Sequence, residues 1–322
     1  MVDRLPDYIG KDPSEFDFQD IIYEKKDWVA RVTLNRPKVY NAYSLLALQE
    51  MGKAFWDATI DDEVAVIVLT GAGEKAFCTG GDVKEYAENY TVYPRDFWKW
   101  MGHYTRAHEL LHNCGKPTIA RVNGIVAGGG NEFHMSCDLS IAADHAKILQ
   151  VGTRVGSVAA GGATQFLPIM VGDRRAREIL FLCEDIPAKK ALEWGLVNEV
   201  VPMAELDEAV DRMSKKLINK FPECLRYTKQ QVNFWKDFSW HMTIGHARDW
   251  LSAHFGSAEP HEGMWAFVEK RPPDFMGLRE KAAAGGSPEY PKGAFTGTCA
   301  GCGATHLPSD FTHCGMCGAK LE

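Results

Sequence analysis

Asn123-Gly-Ile-Val-Ala-Gly-Gly-Gly-Asn-Glu132 decides how this chain is read. It follows a short strand-like run, Thr118 to Val122, and leads into a segment with helical spacing, Asn131 to Cys137. Glycines at such a junction let backbone N–H groups approach a ligand closely. A helix N-terminus adds a dipole that favours developing negative charge. A second glycine stretch, Ala76-Phe-Cys-Thr-Gly-Gly-Asp82, lies behind the apolar run Val64 to Thr70. Neither stretch ends in Gly-Lys-Ser/Thr, as a phosphate-binding P-loop does, and neither has dinucleotide-fold spacing. Taken alone, the glycines fit tight packing turns equally well.

Working outward, Ile21 to Tyr23 and Val29 to Leu34 read as strands with a polar turn, Lys25 to Asp27, between them. Ser44 to Thr59 has helical apolar spacing, with Ser44 placed as N-cap. Val64 to Thr70 is continuously apolar and β-branched, as a strand covered on both faces is. Pro94 to Cys114 reads as a helix, Leu139 to Ala142 as a strand, and Arg174 to about Phe267 as mostly helical. Alternating strands and helices predict an α/β fold with a largely parallel sheet. Residues 1–18 read as an extended arm and 19–275 as the main domain. The Ala/Gly/Ser/Pro mixture of 276–298 reads as a linker. Residues 299–322 form a cysteine-bearing tail.

Among 322 residues, 45% are hydrophobic and 25% charged, which supports a packed core. The formal net charge of −7 gives no basic footprint for nucleic acid. No secretory segment and no membrane-spanning apolar run is read. Cys78, Cys114, Cys137, Cys183 and Cys224 are scattered singly, which suggests reduced thiols in a cytoplasmic setting.

The two glycine stretches, in this order, resemble the signatures of the crotonase (enoyl-CoA hydratase/isomerase) family. Further segments resemble it as well: Asn35-Arg-Pro37 with Asn41-Ala42, Gly172 to Glu178, Ala191 to Pro202, and Glu262 to Pro272. The resemblance spans about residues 19–275. It implies a spiral of ββα turns with a helical C-terminal trimerisation region, and a homotrimer or homohexamer. It implies an acyl-CoA substrate whose thioester enolate is held by the N–H groups of Gly81 and Gly129. Glu132 falls on one of the family's two catalytic glutamates, although a carboxylate at a helix start also serves as a cap. Lys38, Asn41, Ala42, Asp82, Lys84, Gln150 and Ser157 fall at substrate-binding positions. Lys38 and Lys84 also fit solvated surface charges, and His134 fits a packed helix residue. No catalytic cofactor is implied.

The chain departs from the hydratases at Gly152, which stands where their second glutamate belongs. Gly152 to Ser157 resembles the branch that makes or breaks carbocyclic rings. Ala159 and Gly162 stand in place of the aspartate and tyrosine found in that branch, a departure from both its naphthoate-type synthases and its 2-ketocyclohexanecarboxyl-CoA hydrolases. Gly152 to Gln165 and Phe221 to His246 are most similar to the 6-oxocyclohex-1-ene-1-carbonyl-CoA hydrolases. That similarity implies hydration of a ring double bond and hydrolysis of the adjacent C–C bond. The alternatives are enoyl-CoA hydratase or isomerase chemistry, 2-ketocyclohexanecarboxyl-CoA hydrolase or dihydroxynaphthoyl-CoA synthase chemistry, and, last, non-enzymatic acyl-CoA binding.

Cys299-Ala-Gly-Cys302 and Cys314-Gly-Met-Cys317 have the spacing of a zinc ribbon. Four thiolates close a tetrahedral Zn2+ site, so His306 and His313 are not expected as ligands and the metal is structural. Such a module suits contact with a protein partner.

Overall fold

The computed structural model describes residues 5–321, so the first four residues of the expected arm lie outside the described residues. The chain divides into two compact units. The first comprises residues up to 82, 98–153 and 158–249; the second comprises 83–97, 154–157 and 250 onward.

In the first unit, the strands after the β1–β2 hairpin are shared between a large sheet and a small sheet. The large sheet has six strands in the order β1 (Ile21–Lys26), β2 (Val29–Leu34), β3 (Val66–Gly71), β5 (Thr118–Val122), β7 (Leu139–Ala143) and β10 (Glu199–Val201). Among the described residues of this sheet, the β1–β2 pair is antiparallel and the others are parallel. The small sheet orders β4 (Ala76–Cys78), β6 (Ile125–Ala127), β8 (Lys147–Leu149) and β9 (Ile186–Pro187). This is the α/β spiral of ββα turns expected from the sequence.

β3 is buried along its whole length, as its unbroken apolar run requires. Its Val66 and Val68 meet Ile119, Ile141, Leu206 and Val210 in the core under helix Leu206–Ile218. β5 carries a charge into this layer: Arg121 is satisfied by a bidentate pair to Asp207, with both N–O distances 2.8 Å. Helix α1 (Leu45–Ile60) begins where Ser44 accepts the Ala47 N–H at 3.0 Å, the cap read from sequence.

One expectation is corrected. β1 runs to Lys26, so the turn is the pair Asp27-Trp28, both left-handed, as a two-residue hairpin requires. The region after Arg174 is mostly helical, as expected. β9 and β10 interrupt it, and β10 extends the large sheet beside β7. The stretch read as linker opens with a helix, Phe275–Ala283, whose cap Asp274 accepts the Gly277 N–H at 2.8 Å.

In the second unit, Ala258–Val268 and Phe275–Ala283 are helical and precede the cysteine tail. Among the described residues, no helix is long and apolar enough to cross a membrane.

Candidate active site and cysteine centre

β4 and β6 are parallel neighbours, so the loops leaving their C-terminal ends lie side by side. The β4 loop carries Gly80 and Gly81. The β6 loop turns through Gly128 into helix α2 (Gly129–Ser136). A Cβ on Gly80 would sit 3.0 Å from the Gly129 nitrogen, so absence of a side chain opens the space beside that N–H.

Among the described residues, neither N–H group implied by the resemblance has a backbone partner, for a geometric reason. Gly81 forms a parallel bridge with Tyr43, in which Tyr43 N–H donates to Gly80 O at 2.9 Å and Asp82 N–H donates to Tyr43 O at 3.0 Å. The bonds pass through the residues flanking Gly81, so its own N–H faces away from Tyr43. Gly129 is the first residue of α2 and has no intrahelical acceptor. Two N–H groups on touching loops, one on a helix axis, form an anion-accepting arrangement.

Glu132, one turn into α2, is 6% exposed. Burial raises its carboxyl above the ordinary glutamate value. The Ala163 N–H donates to Oε1 at 3.3 Å, and the Tyr104 hydroxyl stands 2.8 Å from Oε2. Tyr104 lies in helix Pro94–His112 and stacks on Trp100 at 5.8 Å; Tyr43 and Phe133 complete the aromatic wall. Sequence reasoning missed Tyr43 and Tyr104. Trp100 and Trp240 are buried, whereas Trp98 and Trp235 are exposed.

Gln150 is 1% exposed and donates to Gly128 O at 3.3 Å, next to the α2 start. Its Oε1 has no hydrogen-bond partner among the described residues. A buried acceptor of this kind suits a ligand donor or a water.

The remaining positions divide. Asn41 is buried and fully engaged by the chain: it accepts the Arg36 N–H and donates to Ala72 O and Ala76 O. Ala42 accepts from the Arg36 guanidinium at its carbonyl, and Asp82 pairs with that guanidinium at 3.0 Å. These three tie the 36–42 segment to the glycine loop. Lys38 is exposed. Lys84 and Ser157 belong to the second unit, where Lys84 is exposed beside Glu88 and Ser157 is half-buried. His134 is packed, with ring nitrogens 3.1 Å from Asn131 Oδ1 and 2.8 Å from Ser140 Oγ. Gly152 begins a 3-10 turn and, as a glycine, offers no side chain at that position.

In the tail, the sulfurs of Cys299, Cys302, Cys314 and Cys317 lie within 4.8 Å of one another. Cys299–Cys317 are 3.6 Å apart and Cys302–Cys314 are 3.7 Å apart. A ZnS4 tetrahedron with bonds of about 2.3 Å has edges of about 3.8 Å, so the four sulfurs fit zinc. Two equivalent knuckles present them: Gly303 N–H donates to Cys299 O and Gly318 N–H to Cys314 O, each at 2.8 Å and each glycine left-handed. Neither His306 nor His313 joins the cluster.

Residues 24–278 match the sequence model of a family described as enoyl-CoA hydratase/isomerase. An enoyl-CoA hydratase subunit from Geobacillus kaustophilus HTA426 is 32% identical over 81% of this chain and 100% of its own, with a TM-score of 0.64. An enoyl-CoA hydratase from Mycobacterium avium subsp. paratuberculosis K-10 is 27% identical over 80% and 98%, with a TM-score of 0.72. A carnitinyl-CoA hydratase from Mycobacterium avium is 29% identical over 80% and 99%, with a TM-score of 0.69.

Proposed function

The chain belongs to the enoyl-CoA hydratase/isomerase family, and from that premise we propose that it is a ring-opening acyl-CoA hydrolase. Its substrate is 6-oxocyclohex-1-ene-1-carbonyl-CoA, or an alicyclic oxo-enoyl-CoA of the same form. One water adds across the ring double bond. A second attacks the ring ketone and breaks the adjacent C–C bond, giving a hydroxypimeloyl-CoA, a reaction of anaerobic aromatic degradation.

The observation that carries this reading is the buried carboxylate of Glu132 at the start of α2, together with a glycine, Gly152, where the resemblance places the hydratases' second glutamate. Hydration by two carboxylates needs a second one there. Ring opening needs one proton-transfer group and a strong enolate sink, because both steps place charge on the same thioester. In hydration, hydroxide bonds to the β-carbon and a proton to the α-carbon. In cleavage, the C–C bonding pair becomes the thioester enolate, which takes a proton at the same α-carbon. The N–H groups of Gly81 and Gly129 stabilise that enolate, each contributing about 3–4 kcal/mol. Glu132 moves the proton at the α-carbon. Gln150 Oε1 anchors a water, and Lys38 meets the CoA phosphates.

The catalytic domain is residues 19–275 and 276–298 connects it to the zinc ribbon at 299–322. The zinc is structural, the protein is a cytoplasmic homotrimer or homohexamer, and the ribbon contacts a protein partner. Nothing here calls for nucleic acid, a membrane or a catalytic cofactor. Isomerisation is the second reading, favoured by the same lone carboxylate, since a 1,3-proton shift needs only one.

Mass spectrometry of the product from 6-oxocyclohex-1-ene-1-carbonyl-CoA tests the reading. A gain of two waters is expected. An unchanged mass with a shifted double bond would replace ring opening by isomerisation.

A further inference from the structure

Tyr43 touches both halves of the anion-accepting pair. Its backbone clasps the β4 loop, one bond on each side of Gly81. Its N–H donates to Gly80 O at 2.9 Å, and its carbonyl accepts the Asp82 N–H at 3.0 Å. Its side chain reaches across to the start of α2. A Cβ on Gly129 would lie 1.8 Å from the Tyr43 hydroxyl oxygen, so that oxygen rests on the bare Cα of the residue that carries the second N–H. One side chain thus spans the two loops.

The span is stiff. Tyr43 is 2% exposed, and a tyrosine ring turns about only two bonds. Trp100 stacks beside the ring at 6.1 Å, Tyr104 lies at 6.0 Å, and Phe133 meets it edge-on at 5.6 Å. Phe133 belongs to α2, one turn beyond Gly129, so the helix rests on Tyr43 at two points. A close-packed interior resists compression and passes a change of length on to its neighbours. A phenylalanine would fill the same aromatic box and stop one oxygen short of Gly129. Donors that stabilise a developing charge must be held at their working distance before that charge forms.

We propose that Tyr43 is a positioning residue: its side chain is the strut that sets the separation of the Gly81 and Gly129 N–H groups, and so their grip on a thioester enolate oxygen. This deepens the reading of those two groups as the enolate's donors and rests on it. It does not rest on ring opening. The strut works by length, so any group that fills the place of the hydroxyl should serve. Gly129 is its counterpart, because a side chain there would push against the strut's end.

The test is infrared difference spectroscopy of cyclohexanecarbonyl-CoA, isotope-labelled at the thioester carbonyl and bound to the full-length protein. This acyl group is saturated and has no ring ketone, so it is neither hydrated nor cleaved. Two aligned N–H donors polarise the carbonyl, and its stretching frequency in the wild-type complex should lie below that of the free ligand in water. Tyr43→Phe should lose a large part of that lowering. Tyr43→para-chlorophenylalanine, which fills the hydroxyl's space without its proton, should keep it. Should Tyr43→Phe fail to fold, the double variant with Gly129→Ala, which puts a methyl near the emptied place, takes over. Its frequency should lie closer to wild type than that of Gly129→Ala alone. A lowering unchanged in Tyr43→Phe, a chloro variant that behaves as Tyr43→Phe does, or a double variant no closer to wild type than Gly129→Ala overturns the strut and leaves the donor assignment standing. A wild-type complex with no lowering removes the donor assignment and the strut together.

Discussion

The hydroxyl oxygen of Tyr43 occupies the place that a Cβ on Gly129 would take. The first residue of α2 therefore packs its bare Cα against a buried phenol, and any side chain there must displace one or the other. Gly129→Ala is expected to lower kcat/KM about a hundredfold or more, the scale of losing one aligned N–H donor. Combining it with Tyr43→Phe should recover part of that loss, because the colliding oxygen is gone while the ring stays. Steady-state kinetics on the three variants decide the matter. A Gly129→Ala protein with unchanged kcat/KM would remove the Gly129 N–H from the mechanism.

Glu132 links pH to stability. Burial raises its pKa in the folded protein above the ordinary value of 4.5, so the folded state binds the proton more tightly than the unfolded state. Its contribution is fully present below that ordinary value. It is lost as pH rises through the higher folded value. Glu132→Gln removes this dependence. Thermal melts from acid to alkaline pH should therefore show a shallower decline of Tm above pH 4.5 for the variant, and a variant at least as stable as wild type at the alkaline end. Parallel curves would mean that Glu132 titrates normally.

Much of this was legible in the sequence, and the failures share a cause. The Ser44 cap and the strand runs Val29–Leu34 and Thr118–Val122 are local signals, and the structure keeps them. The strand Glu199–Val201 is three half-buried residues between helices, too short to show a period. It exists because β7 offers an open edge. Tyr104 lies on the buried face of its helix with Trp100, Met101, Ala107 and Leu111, a pattern that predicts core and nothing more. That its hydroxyl reaches Glu132, 28 positions away, is a tertiary fact. Gly161 had no signal: a Cβ there would lie 2.7 Å from Glu132 Oε2, so what matters is the side chain it lacks. The family resemblance named Gly81, Gly129 and Glu132 because those positions fall in contiguous motifs. It could not show that Asn41 is occupied by its own chain.

Asn41 separates a structural role from a binding one. Its side chain satisfies Arg36 N–H, Ala72 O and Ala76 O, and its backbone is left-handed. Asn41→Ala leaves buried groups unpaired and strains the backbone, costing about 2–4 kcal/mol. Asn41→Gly relieves only the strain and should lie between. Denaturant unfolding measures both. If Asn41→Ala folds with wild-type stability and only the KM for acyl-CoA rises, the residue is a substrate ligand after all.

The four tail sulfurs make the last prediction. Their spacing fits one tetrahedral zinc, and a site closed by four thiolates has no open position for substrate. Backbone N–H groups of Met316 and Cys317 bring the Cys314 thiol down to about 7, which favours the thiolate form. Elemental analysis of the purified chain should find one zinc per protein. Cys302→Ser should lower that content and make the tail sensitive to protease without abolishing turnover. Zinc affinity should weaken as pH falls, because protons compete for the sulfurs. A protein that holds no zinc at neutral pH under reducing conditions would rule out the ribbon. One whose turnover vanishes with the metal would rule out a purely structural role.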